Sequence, residues 1–145
     1  MTRRSPASGS GHLPRSPIWR PVTAVGMLTA VVAEQLKHTR AQLALLEQAR
    51  PGRPDARIVD NYTVSEILRL YGQLAADYRR LFAEQGRRWR AETSADTAAR
   101  DAVEVYLELV TANLAVLDEL LTLARQMQDH TLEKIMNKKR PRTKQ

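Results

Sequence analysis

The sequence predicts an all-α fold, a bundle of three long amphipathic helices with disordered basic tails. Three observations predict it. Apolar residues recur at spacings of three, four and seven, the repeat of one helix face, and no stretch shows the strict alternation of a half-buried strand. Turn-forming residues break this pattern at two internal places, Arg50-Pro51-Gly52-Arg53-Pro54 and Thr93-Ser94-Ala95-Asp96, leaving three periodic segments. Of the 23 basic side chains, nine lie in residues 1–21 and 137–145 with no acid among them, so the formal charge of +7 leaves residues 22–136 at −2. The basic character belongs to the tails, and a flexible basic arm can hold any polyanion without a shaped site.

At 145 residues the chain is read as one domain, with a leader over 1–21, a helical bundle over 22–137 and a basic tail over 138–145. The leader holds four Pro, two Gly and four Ser, too little apolar surface to offset the entropy of ordering. Its Ile18 and Trp19 are placed either to pack on the first helix or to dock on a partner. Val22 to Ala33 is an apolar run of twelve residues behind four arginines, which raises a signal peptide cleaved before Glu34 as one reading. The run is too short to cross a bilayer, which needs about 20 apolar residues. Its pattern also continues through Leu36, Leu43 and Leu46, so it reads as the start of an amphipathic helix in a cytoplasmic protein.

That first helix runs from about 23 to 49, with Val25, Leu28, Val32, Leu36, Leu43 and Leu46 on one face. Pro51 and Pro54 end it, because proline lacks an amide donor and pushes its predecessor out of the helical region. The second helix spans about 63 to 91. Thr63-Val64-Ser65-Glu66 fits a capping box, with Tyr62 and Ile67 as its hydrophobic staple. Ile67, Tyr71, Leu74, Tyr78, Leu81, Phe82, Gln85 and Trp89 form its apolar stripe, and Arg69, Arg80 and Arg87 lie opposite. Gly86 weakens its last turns by about 1 kcal/mol relative to alanine.

The third helix spans about 95 to 137. Val103, Tyr106, Val110, Leu117, Leu120, Ala124, Met127 and Thr131 repeat as a heptad stripe, flanked by Leu107, Leu114, Leu121 and Ile135. So broad a face needs a neighbour on each side, which makes this helix the central one. Asp129-His130-Thr131 is the place where a break is expected in so long an element. The second helix is rich in arginine and the third in acids, so the two are expected to lie side by side, with each exposed pair worth about 0–1 kcal/mol.

Chemistry-bearing patterns are sparse. There is no cysteine, and His12, His38 and His130 stand far apart. Glu34 with His38, Glu104 with Glu108 and His130 with Glu133 share helix faces, but no Glu-x-x-His motif of a di-metal bundle occurs. No phosphate loop, zinc spacing or serine elbow is present either. The reading is of a protein that is not an enzyme, with no catalytic residues, no metal and no cofactor.

Two basic features remain. On the second helix Arg79, Arg80, Arg87, Arg88 and Arg90 alternate with Tyr78, Phe82 and Trp89, a mixture that in an exposed strip tracks phosphates and stacks bases. The helical wheel sets those aromatics away from Arg80 and Arg87, which favours a solvated or ion-paired face. The C-terminal run holds Lys138, Lys139, Arg140, Arg142 and Lys144, a nucleic-acid arm, an anionic-membrane contact, in a eukaryotic setting a nuclear localisation signal, or simply a solvated tail that aids solubility. Neutralising about five phosphates gives a salt slope near −4.5 on duplex DNA.

Asp60 to Leu70 (DNYTVSEILRL) and Asp129 to Gln145 (DHTLEKIMNKKRPRTKQ), in an Arg-rich and Ala-rich chain of this length, resemble the small transfer-region proteins of broad-host-range conjugative plasmids, of the IncP TraM type. The resemblance covers the cast of the whole chain and carries no functional residue over. It implies a cytoplasmic accessory of conjugative DNA transfer. The ribbon-helix-helix pattern of unrelated DNA-binding proteins that share the TraM name is not visible, which speaks against sequence-specific DNA binding. The expected partners are a protein, a second copy of the chain and, weakly, nucleic acid. The alternative is a nucleic-acid-binding module built on the tail, Arg80 and Arg87.

Overall fold

The computed structural model describes residues 19–53 and 59–139. Among them all regular structure is helical and no strand occurs. The chain is all-α. The elements are α1 (Trp19–Gln48), α2 (Asn61–Leu81), a π-helical turn (Phe82–Gly86), α3 (Arg87–Glu92) and α4 (Thr97–Lys139). The segment from Asn61 to Glu92 is thus one helical rod interrupted by a π turn. The leader up to residue 18 and the tail from residue 140 lie outside the described residues.

Three sequence expectations about element ends are corrected. α1 begins at Trp19, inside the stretch assigned to a disordered leader, and takes Pro21 into its first turn. Proline is tolerated there because first-turn amides have no acceptor within the helix. α2 is capped by Asp60, whose Oδ1 accepts from the Thr63 amide at 2.8 Å, so Thr63 is the third helical residue rather than the cap. Glu66 points instead to Arg69, at 2.9 Å. The staple positions move with the cap: Tyr62 is exposed, whereas Val59 and Val64 both pack into the core. Finally, α4 runs 43 residues without a break at Asp129-His130-Thr131. The Thr131 hydroxyl donates to the Met127 carbonyl at 3.0 Å, and no residue there forbids the helix.

The turns are built as the residue types suggest. After α1, Pro51 and Gly52 occupy the centre of a turn closed by the Arg53 amide on the Arg50 carbonyl at 3.2 Å. Gly52 has φ of 91°, a value at which a side chain would be strained. Between α3 and α4 the buried Thr93 donates its hydroxyl to the Trp89 carbonyl, and Asp96 accepts from the Ala99 amide at 3.1 Å. The second turn therefore serves as end and start at once.

α4 is the central element. α1 and α2 each pack along it and hardly touch each other. α1 lies parallel to α4: Leu43 and Glu47 share a hollow with Leu123 and Gln126, and Arg50 with Asp129 and Glu133 share the next one along. α2 and α3 run antiparallel, with Arg79 on Asp118 and Arg90 on Glu104. Val103, Tyr106, Val110, Leu117, Leu120, Ala124 and Met127 of α4 are buried against Val25, Val32 and Leu46 of α1 and Val64, Ile67, Tyr71 and Tyr78 of α2. Each such aliphatic side chain contributes about 1.5–3 kcal/mol of burial. From Gln128 to Lys138 no side chain of α4 is buried.

Candidate interaction surfaces

The arginines of the second helical segment divide into two groups. Arg79 reaches across to Asp118 at 2.5 Å, Arg80 stays on its own helix with Asp77 at 3.3 Å, and Arg90 holds Glu104 with two hydrogen bonds of 2.7 and 3.0 Å. Arg90 draws the Glu104 carboxyl below its usual range, chiefly through the hydrogen bond. Arg87 and Arg88 are exposed and join none of the ion pairs found among the described residues. The aromatics do not line up with them. Tyr78 is buried, and Trp89 packs edge-on to the buried Tyr106 with ring centroids 5.6 Å apart. Stacking surface for bases is therefore spent in the core, leaving Phe82 partly exposed beside the π turn.

The π turn has a tertiary cause. Gly86 lies so close to α4 that a Cβ there would meet Leu107 Cδ2 at 2.7 Å. Absorbing one extra residue in a wide turn lets Arg87 to Glu92 continue along α4 and bring Arg90 to Glu104. Phe82, Arg90, Glu104, Leu107, Glu108 and Thr111 enclose a shallow hollow of about 330 Å³ beside it. Glu104 faces Arg90, so its expected pairing with Glu108 yields a rim rather than a proton-relay pair.

On the opposite side, Glu47, Arg50, Asp118 and Glu119 line a hollow of about 360 Å³ between α1 and α4, followed by one lined by Arg50, Asp129, His130 and Glu133. Both are open and acidic. Among the described residues no three His, Asp or Glu side chains converge as metal ligands. None of the helices there is long and apolar enough to cross a membrane.

The predicted basic site is seen in part. Lys138 is exposed near the end of α4 and Lys139 is its last helical residue. Arg140, Arg142 and Lys144 lie outside the described residues. Arg80 and Arg87 sit about two turns apart on a different rod, so the structure does not bring them to the α4 end. What the sequence reading missed is that the last turns of α4 keep an uncovered apolar face: Leu132, Ile135 and Met136 are exposed together on one side, beside Lys134 and Lys138. The signal was present as an apolar stripe that continues through Leu132, Ile135 and Met136.

The core also holds polar groups that the reading passed over. Asn113 is fully buried one heptad after Tyr106, and neither its amide atoms nor the Tyr106 hydroxyl has a hydrogen-bond partner. Burial pushes the phenols of Tyr78 and Tyr106 up. The Asn113 amide tempers the rise at Tyr78, yet its approach falls short of hydrogen-bond geometry.

No family model, curated protein or solved structure matches this chain.

Proposed function

We propose that this chain is a non-enzymatic accessory whose three helices form a bundle that docks on a partner protein, with the basic end adding weak contact to nucleic acid. One observation carries the reading: the last turns of α4, from Gln128 to Lys138, bury no side chain and present Leu132, Ile135 and Met136 to solvent next to Lys134 and Lys138. An apolar face rimmed by like charges suits an acidic, apolar partner groove. The resemblance to small plasmid-transfer proteins of the IncP TraM type supplies the setting, an accessory of conjugative DNA transfer in the cytoplasm. Engagement of Arg79, Arg80 and Arg90 by acids supports placing the nucleic-acid contact on the tail rather than on α2 and α3.

DNA binding across a salt series tests this. Ending the chain at Asn137 removes five positive charges and leaves the buried core intact. The full chain is expected to bind duplex DNA weakly and without sequence preference, with a salt slope of about −4.5 that disappears on truncation. Arg80→Gln with Arg87→Gln is expected to change little. Affinity lost on those two changes but kept on truncation would favour the alternative, a dedicated nucleic-acid-binding module.

A further inference from the structure

α1 carries two heptad stripes. The first, Val25, Val32, Thr39 and Leu46 with Leu36, is buried against α4. The second consists of Met27, Val31, Glu34, His38, Ala41 and Leu45, every one of them exposed. Stepping about 100° per residue, the stripes lie roughly 130° apart. Met27 is 69 %, Val31 60 % and Leu45 48 % exposed, unusual values for residues that recur at core-like spacing. The stripe faces the α2 side of the molecule: the His38 ring is 6.1 Å from that of Tyr71, and Leu45 shares a hollow with Val59 and Ile67. Among the described residues α2 approaches this seam at His38 and Leu45, and Met27, Val31 and Ala41 stay exposed along it.

We infer that a second copy of this chain closes it, with α1 packed antiparallel on α1 about a twofold axis at the level of Leu36. The stripe fits this occupant. Its spacings of four, three, four, three and four read the same in both directions, as a self-complementary surface requires. The antiparallel register sets Met27 against Leu45 of the second copy, Val31 against Ala41 and Glu34 against His38. In heptad terms each layer joins an a position to a d position, the layering of antiparallel coiled coils. The charges agree with it. A parallel pairing would oppose Glu34 to itself, whereas the antiparallel one meets it with an imidazole. Among the described residues Glu34 makes an exposed, 3.8 Å contact to Lys37, which is readily exchanged. The seam runs about 27 Å.

Sedimentation equilibrium of the full chain should show a reversible dimer. Val31→Glu should give a monomer of unchanged helix content, since the side chain is exposed in the single copy. His38→Glu opposes two carboxylates at each of two equivalent contacts and should weaken dimerisation by about tenfold or more. Adding Glu34→Lys to that chain makes the contacts opposite in sign again and should restore the dimer; a parallel pairing would not be restored. The absence of cysteine permits a register test. A mixture of Met27→Cys and Leu45→Cys chains should oxidise to a covalent heterodimer, while neither chain alone should cross-link, because equivalent residues sit at opposite ends of the seam. A wild-type chain that stays monomeric at every concentration, a dimer that survives Val31→Glu, a charge swap that restores nothing, or self-cross-linking of Met27→Cys would overturn the inference.

Discussion

Gly86→Ala tests why the second helical rod bends into a π turn. Alanine in place of glycine inside a helix ordinarily stabilises by about 1 kcal/mol, because less backbone entropy is lost. Here the new methyl would lie 2.7 Å from Leu107 Cδ2, with Leu107 Cδ1 and Cγ next at 3.7 and 3.8 Å. Leu107 is buried and packed in the core, so it has little room to turn aside. Overpacking of this kind costs about 1–3 kcal/mol. The two effects leave Gly86→Ala neutral to destabilising by about 2 kcal/mol. A double-mutant cycle separates them. Leu107→Ala alone should cost about 2–5 kcal/mol as a large-to-small core change. In that background the three nearest atoms are gone, and Gly86→Ala should now stabilise by up to about 1 kcal/mol. Urea unfolding followed by circular dichroism gives all four stabilities. Should Gly86→Ala stabilise equally in both backgrounds, the close approach to α4 is not what demands glycine, and the account of the π turn fails.

Two further outcomes follow from the ends and seams of α2 and α3. Asp60→Ala should lower the melting temperature more than Thr63→Ala, because Asp60 supplies the acceptor of the first turn. Hydrogen bonds from Thr63, the backbone amide first, hold the Asp60 carboxyl below its ordinary range, so its contribution is complete above the unfolded-state pKa and fades as pH falls through the folded one; equal melting of both variants at neutral pH would return the cap to Thr63. Glu104→Gln should cost no more than about 1 kcal/mol, the range of exposed ion pairs. The Glu104 carboxyl is likewise lowered, by Arg90, so the difference between wild type and variant should be full at neutral pH and vanish in acid; a difference that grows on acidification would contradict the pairing.

The helical class and the central place of α4 were legible because both rest on periodicity, and periodicity survives whatever the neighbours do. Val103, Tyr106, Val110, Leu117 and Leu120 announce one face, and that face is buried. Element ends were less legible because several side chains compete for the same role. Asp60 and Thr63 are both good caps, and the choice falls to Asp60 because Val59 and Val64 then reach the core together. Pro21 was taken as part of a leader although the first turn of a helix admits it. The π turn was not legible, since its cause is contact between Gly86 and a residue of another helix. Asn113 was hidden in plain register, a polar residue at an apolar position. For the basic site, the sequence revealed the charges of α2 and α3 but not their engagement: which arginines meet acids depends on how two antiparallel rods are aligned.

The parallel contact of α1 with α4 has a consequence for how the chain acquires its structure. The most extensive helix packing in the molecule joins segments separated by the whole of the α2 and α3 rod. During synthesis α1 emerges with its face complete and nothing to cover it, and α2 does not relieve it. Closure waits for α4, at the cost of a long chain loop. In that interval Val25, Val32 and Leu46 stand open to any apolar surface nearby, so nascent chains held close together are exposed to exchange of α1 between copies. Translation that stalls before residue 127 would leave this protein with an unsheltered helix rather than a smaller stable domain.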